Sequence, residues 1–146
     1  MADYYPPWGF YYRVEFGIPK KDKNDVRFQT VSGLAVEYDM DEYKEGGENR
    51  FTHKLPVRTK YADLVLKRGM LTDSGVIQWC FDAFRDRQFT PADVNVILMN
   101  EKSEPLRAWK IAHAVPKKWL VSDLNAAENS IVIETLELSY RYFTLQ

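Results

Sequence analysis

The chain has 146 residues, a common size for one domain, and its 20 basic and 21 acidic residues give a net charge of −1. This balance argues against a nucleic-acid binder that is held by electrostatic attraction. No apolar run approaches the ~18 residues of a membrane span, the N-terminus lacks signal-peptide features, and the single cysteine, Cys80, excludes an intramolecular disulfide. We therefore expect a single domain over 1–146, made in the cytoplasm and not inserted in a membrane.

Most of the chain has the pattern of β-strands. Runs rich in branched and aromatic residues are separated by turn residues such as Gly, Pro, Asn and Asp. Strands are predicted, in chain order, over residues 10–16, 26–32, 34–43, 51–58, 64–67, 93–99, 106–115 and 130–145. Pro116 is expected to end the seventh strand, before a brief extension over 119–121. Seven or eight strands and one helix predict a mainly β fold, a β-sandwich or partly open barrel with the helix packed on one edge.

The third and fourth strands predict a hairpin arm over 37–58. Both strands alternate apolar and polar residues, and Gly46-Gly47 between them is a hairpin signal because glycine readily adopts positive φ. A turn centred there would place Asp39 opposite Lys54, so that an acidic strand faces a basic one. The simpler interpretation is a solvated hairpin face. The alternative is an arm that reaches onto a neighbouring subunit.

A helix is predicted over 75–87. Asp73 or Ser74 can cap its N-terminus. The predicted buried stripe, at helical spacing, consists of Ile77, Cys80, Phe81 and Phe84.

Residues 130–145 predict one very long strand with two different faces. Val132, Leu136, Leu138, Tyr140 and Tyr142 fall on one side, and Thr135, Glu137, Ser139 and Arg141 fall on the other. From 131 to 143 the strand would span roughly 40 Å, whereas ordinary strands have about 5–6 residues. A domain of this size gains little from such a strand alone, so the pattern favours a protein that assembles with other subunits.

The residues that usually carry catalysis are sparse. His53 and His113 fall on apolar strand faces, where hydrogen-bonded core or interface histidines are the usual outcome, and Cys80 lies on the buried stripe of the helix. No Cys/His spacing matches a metal site, and Gly46-Gly47 is followed by no helix that would make it a phosphate loop. We expect no enzymatic activity, no cofactor and no metal.

An ordered set of segments does point to a family. The segments are 5–12, 31–34, 64–69, Trp79, 93–98, 109–119 and 133–138. In this order and spacing they resemble the tail tube family of contractile phages and phage-like contractile injection systems, over nearly the whole chain.

The resemblance implies hexameric rings that stack into a tube inside a contractile sheath. It implies a fold similar to that of the secreted ring protein of type VI secretion, with strands of six subunits joined in one inner barrel. The polar side of the last strand (Thr135, Glu137, Ser139 and Arg141) would line the lumen. The hairpin would contact neighbouring subunits and the next ring through Glu45, Gly46, Gly47, Glu48, Asn49, Arg50 and Phe51.

The partners implied are copies of the chain, a spike or hub protein, other tube paralogues, sheath and baseplate, in a phage tail or a released phage-like particle. The run 45–56 resembles the paralogues that start the tube on the spike; the main tube subunit is the alternative. A different class also remains open. In it, the chain is a monomeric ligand-binding β-sandwich whose stacking surface consists of Trp8, Tyr11, Trp109 and Trp119.

Overall fold

The computed structural model describes residues 11–19, 27–43, 46–47, 52–71, 74–124 and 132–146. Within them the chain forms ten strands and one helix. The strands are β1 (Tyr11–Phe16), β2 (Arg27–Phe28), β3 (Thr30–Ser32), β4 (Val36–Tyr43), β5 (His53–Tyr61), β6 (Leu64–Gly69), β7 (Ala92–Met99), β8 (Pro105–Val121), β9 (Ile133–Ser139) and β10 (Tyr142–Leu145), and the helix is α1 (Gly75–Asp86). The prediction of a mainly β fold with one helix is confirmed.

Eight strands form one antiparallel sheet that curls back towards itself. Its order is β2-β1-β7-β8-β9-β6-β3, and β10 is added to β8. The two ends of the path, β2 and β3, are consecutive in the chain and are separated by Gln29, whose backbone N–H donates to the carbonyl of Lys67 (2.8 Å). The described residues form no ladder between β2 and β3, so the structure is an open barrel.

The core lies inside this barrel. Its fully buried side chains come from β1, β6, β7, β8, β9 and α1; they include Val14, Leu64, Leu66, Val76, Cys80, Val94, Val96, Ile111, Leu136 and Leu138. Strands β1, β6 and β9 contribute alternate apolar residues, as expected where only one face of a sheet is buried. On β8 the buried Ile111 and Ala114 are three residues apart, with His113 between them.

Helix α1 begins after Ser74, whose hydroxyl accepts from the N–H of Ile77 (3.2 Å), as one of the two predicted caps would. Its buried residues are Val76, Trp79, Cys80 and Ala83. The predicted stripe is wrong except for Cys80, because Phe84 is exposed and Ile77 and Phe81 are only half-buried. The helix sequence contains two overlapping apolar stripes, and the buried one is the stripe that includes Trp79. The indole N–H of Trp79 donates to the carbonyl of Thr90 (2.7 Å), which favours this orientation of the helix.

Strand β8 continues through Pro116, which was predicted to end it. Proline is tolerated because it stands at a register shift between Pro116 and Lys118, where one ladder hydrogen bond is missing anyway. As a result, β8 pairs with strands on both sides of the bend. Its first part pairs with β7 and β10, and its second part pairs with β9.

The predicted single strand over 130–145 is divided into β9 and β10 by a corner at Tyr140 and Arg141. On β8, the residue opposite Arg141 is His113. Its φ of 53° is positive, and β8 bends at this residue. Register is kept across the corner, since Ser139 pairs with Val115 and Tyr142 pairs with Ala112.

The corner changes which residues face the core. On β9 the even-numbered Leu136 and Leu138 are buried, whereas on β10 the odd-numbered Phe143 packs against the core and Tyr142 is exposed. The expectation that Tyr142 shares a face with Leu138 is therefore wrong.

A buried ion pair joins several of these elements. Arg68 on β6 donates from Nε to Glu134 Oε2 on β9 (3.0 Å), and the two side chains are 4% and 3% exposed. Arg68 also donates to the hydroxyl of Ser74 (2.9 Å), and its guanidinium lies 4.8 Å from the ring centre of Phe28. The indole N–H of Trp119 donates to the other Glu134 oxygen (2.8 Å). One charged pair thus links β2, β6, β8, β9 and the start of α1.

Removing one member of this pair should be costly, because the other charge would stay buried without its partner. We expect Arg68→Met to lower the free energy of unfolding by about 3–5 kcal/mol. The double variant Arg68→Met/Glu134→Gln should recover much of this loss, since the introduced amide is neutral and its oxygen still accepts from Trp119. Urea unfolding followed by tryptophan fluorescence measures both. The control is Lys67→Met, an exposed neighbour on the same strand, and an equal effect of Arg68→Met and Lys67→Met would contradict the expectation.

Candidate assembly surfaces

Strands β4 and β5 form a separate two-stranded ribbon outside the barrel. Gly46 and Gly47 lie in its turn, and Gly47 has a φ of 94°, as the hairpin prediction requires. The predicted register is wrong: Asp39 pairs with Arg58 instead of Lys54, and Lys54 pairs with Glu42. Tyr43 pairs with His53, whereas a two-residue turn at Gly46-Gly47 would pair it with Arg50, and a bulge between Asp39 and Met40 shifts the register further. The acidic strand nevertheless faces the basic one.

The ribbon exposes apolar side chains along one face. Val36, Tyr38 and Met40 share this face of β4 and are 51%, 63% and 47% exposed. The residues directly opposite on β5 are Tyr61, Thr59 and Pro56, which belong to the same face. Exposed apolar patches of this kind usually mark interaction sites.

The far end of the ribbon carries a second aromatic contact. Tyr43 and His53 are paired across the strands, and their rings stack at 5.1 Å. They lie on the face opposite to Tyr38, because Tyr43 is odd-numbered on β4. Of the predicted contact residues, Gly46 and Gly47 are described and lie next to this end; Glu45, Glu48, Asn49, Arg50 and Phe51 lie outside the described residues.

The ribbon leaves the barrel at Gly33 and returns at Asp63. Gly33 has a φ of 89°, and a Cβ added to it would lie 1.9 Å from the Asp63 carbonyl oxygen. Only glycine allows the two chain segments to come this close. The N–H of Ala62 donates to the carbonyl of Ala35 (3.2 Å) and closes the base.

Three aromatic rings anchor this base to the barrel. Tyr61, at the end of β5, makes edge contacts with Tyr140 (5.9 Å) and Phe143 (5.2 Å), which flank the corner between β9 and β10. Burial, reinforced by the negative charge of Asp63, raises the pKa of Tyr140 to about 12. Tyr140 is therefore protonated at neutral pH, and its hydroxyl donates to the carbonyl of Gly33 (3.4 Å).

A salt bridge adds to the anchoring. Lys117 on β8 donates to the carboxylate of Asp63, and this hydrogen bond raises the pKa of the Lys117 ammonium. Both side chains are substantially exposed, so we assign this pair a role in positioning the base and only a small part in stability.

The predicted lumen residues do not form one continuous row. Thr135 is 9% exposed in the single chain and sits on a central strand, paired with Lys67 and Leu120, and its place in a lumen stays a prediction. Glu137 is half-buried and lies 4.0 Å from Lys118, and Ser139 is half-buried on the same face. Arg141 is exposed but lies in the corner, past the end of β9.

The remaining candidate residues show no catalytic or stacking arrangement in the described part of the chain. His113 is exposed at its bend in the single chain, so it is not a core histidine, and its backbone N–H donates to Asp93 Oδ1 (3.1 Å). An interface position for it stays a prediction. In the described ranges, no group of three or more His, Cys, Asp or Glu residues is placed to hold a metal. Trp109 packs against the core and Trp119 is engaged by Glu134, so the proposed stacking surface does not form among the described residues. Trp8 lies outside them.

Sequence reasoning missed the Arg68–Glu134 pair and the aromatic anchor. The signal for the pair is the alternation along each strand, in which the even-numbered residues face the core. Arg68 follows Leu64 and Leu66 on the inward face of β6. Glu134 precedes Leu136 and Leu138 on the inward face of β9. Among the described residues, no helix has the length and apolar character needed to cross a membrane.

Solved structures of other proteins share this fold. The fold is similar to that of Hcp1 from Flavobacterium johnsoniae, with a TM-score of 0.54, 15% identity, and 94% of each chain covered. It is also similar to a chain of the PVC extracellular contractile injection system sheath/tube terminator in its extended state, with a TM-score of 0.77 and 23% identity over 100% of this chain and 99% of that one.

The family follows from two further matches. The model of the T4-like virus tail tube protein gp19 family matches residues 8–144, and the chain belongs to this family. A chain of the six-fold symmetrised anti-feeding prophage (AFP) baseplate is 31% identical, with a TM-score of 0.85, over 100% of this chain and 97% of that one. Among curated protein sequences, none matches closely enough to indicate a relative. The resemblance to tail tube proteins is confirmed.

The close approach at the ribbon base can be tested with one methyl group. Gly33→Ala should lower the free energy of unfolding by about 2 kcal/mol or more, because alanine resists this backbone conformation and its Cβ would meet the Asp63 carbonyl. Gly46→Ala is the matched control, since an added Cβ there meets nothing within 4 Å. Urea unfolding measures both. If Gly33→Ala were as stable as Gly46→Ala, the base would be less constrained than its geometry indicates.

Proposed function

We propose that the chain is a structural subunit of the inner tube of a contractile injection machine. It forms hexameric rings that stack into a hollow conduit. Membership of the tail tube family supports the class, and the 31% identical chain in a six-fold symmetrised baseplate supports both the symmetry and a position near the baseplate. Within such a particle the neighbouring components are the spike or hub, tube paralogues, sheath and baseplate.

The observation that carries the proposal is the exposed apolar face of the ribbon. Tyr38 and Met40 lie on a two-stranded sheet with no core of its own, so nothing in the described part of the chain covers them. Burying side chains of this size contributes about 1.5–3 kcal/mol each. A neighbouring subunit that covers this face would gain that free energy, whereas a permanently monomeric protein would leave the face in water.

A position at the start of the tube is the more specific part of the proposal. The AFP match comes from a baseplate, which supports this position. The tip of the ribbon, residues 45–51, would then contact the next ring on one side or the spike complex on the other. Thr135, Glu137 and Ser139 are the proposed contributors of β9 to a polar lumen.

The apolar face should be needed for assembly but not for folding. We expect wild-type protein to form six-copy particles, and Tyr38→Ser/Met40→Ser to associate about tenfold more weakly or worse, since each 1.4 kcal/mol of lost interface burial is a factor of ten. Native mass spectrometry over a concentration series measures the copies, and circular dichroism checks the fold. Phe89→Ser is the control, because Phe89 is equally exposed (58%) but lies off the ribbon. Undiminished assembly of the double variant would contradict the proposed role of this face.

The tip should matter to contacts between rings. Deleting residues 44–49 is expected to leave the barrel folded, since the ribbon contributes no residue to the core cluster, and to shorten or abolish stacks of rings. Electron microscopy of negatively stained particles reports stack length, and thermal unfolding reports the fold. If stacks formed normally, or if the deletion unfolded the barrel, the tip would not be a contact between rings.

A further inference from the structure

The two strands of the ribbon carry opposite charges. Strand β4 holds four acidic residues (Glu37, Asp39, Asp41 and Glu42) and no basic one, whereas β5 holds Lys54, Arg58 and Lys60 and no acidic one. The ribbon as a whole is nearly neutral, so the separation creates one acidic side and one basic side without a large net charge.

The cross-strand pairs inside the ribbon only partly use these charges. Across the described residues of the ribbon, Lys54 and Glu42 are the one ion pair, at 3.8 Å and with both side chains more than 60% exposed. Glu37 stands opposite Lys60 and Asp39 opposite Arg58, but neither of these described couples comes within ion-pair distance. These four charged groups at the base of the ribbon are therefore available to a neighbour.

Both outer edges of the ribbon are unpaired. Strands β4 and β5 pair only with each other in the described structure, so each presents a row of backbone N–H and C=O groups to solvent. Such edges are templates for strand addition, and proteins commonly protect them with charged side chains. Here the two edges carry opposite signs. Two β4 edges repel each other, as do two β5 edges, while a β5 edge attracts a β4 edge.

We propose that ribbons of adjacent copies of this chain lie side by side, with the β5 edge of one against the β4 edge of the next. The charge separation fixes this head-to-tail direction. A contact between two different edges repeats around a ring, whereas a contact between two like edges would stop at a dimer. This inference rests on the proposed tube function and adds the edge and the polarity by which one copy recognises the next.

Three charge variants test the direction. The first reverses β4 (Glu37→Lys/Asp39→Lys/Glu42→Lys) and makes both edges basic. The second reverses β5 (Lys54→Glu/Arg58→Glu/Lys60→Glu) and makes both edges acidic. The third combines all six changes, which exchanges the edges but keeps every cross-strand couple opposite in charge.

The first and second variants should each associate about tenfold more weakly than wild type or worse, because like charges meet at every contact. Mixed in equal amounts they should assemble again, with equal numbers of each in every particle. The third variant should assemble alone but stay out of wild-type particles, because its basic β4 would meet the basic β5 of wild type. Native mass spectrometry distinguishes the compositions, since the variants differ in mass, and circular dichroism confirms that each is folded.

Two results would overturn the inference: no recovery on mixing the first two variants, or free mixing of the third variant with wild type. Because the third variant preserves the pairing inside the ribbon, its result does not depend on whether the single-strand variants form the ribbon well. If all charge variants assembled like wild type while Tyr38→Ser/Met40→Ser did not, the charge polarity would be wrong and the proposed function would stand. If the wild-type protein itself never associated, both the charge polarity and the proposed tube function would be wrong.

Discussion

The burial of one guanidinium constrains much of this fold. An arginine inside a barrel is tolerated only when a carboxylate and further hydrogen-bond partners replace the water it has lost. Glu134 supplies the carboxylate, Ser74 supplies a hydroxyl, and the ring of Phe28 faces the cation. Since these partners come from β9, the cap of α1 and β2, their relative positions are set together. We interpret the pair as fixing the relative positions of these elements more than adding stability, because a well-packed apolar replacement can be equally stable.

The rigidity of the barrel matters for the ribbon, which cannot stabilise itself. Isolated two-stranded sheets are marginally stable in water, and the side chains of β4 are exposed along its whole length. Its orientation therefore depends on its base, where Gly33 meets Asp63 and where Tyr61 packs on Tyr140. Leu64, the first residue of β6, follows Asp63 directly and is fully buried. The end of the ribbon, at Asp63, is thus only one residue in sequence from a core side chain.

The sequence predicted element types well because alternation and capping are local. The helix, its Ser74 cap, the hairpin and the open barrel all follow from such patterns. Register and corners did not follow. The bulge after Asp39 depends on both strands, and the corner at Arg141 keeps the pairing of β8 intact while exchanging the faces. Arg68 and Glu134 were overlooked because a charge at an inward position contradicts the apolar pattern. Both nevertheless alternate with neighbouring leucines in a way that predicts an inward position.

The ribbon also shows why affinity and direction need different side chains. An apolar face such as that of Tyr38 and Met40 attracts any complementary surface, since hydrophobic burial is not directional. Free strand edges are equally permissive, and an exposed apolar ribbon with two such edges would aggregate if nothing limited its partners. Separating acidic residues onto β4 and basic residues onto β5 limits them at almost no cost in net charge. In the proposed assembly, the apolar face provides the free energy of association and the charged edges decide which arrangement of ribbons gains it. The buried Arg68–Glu134 pair fixes the barrel from which both are presented.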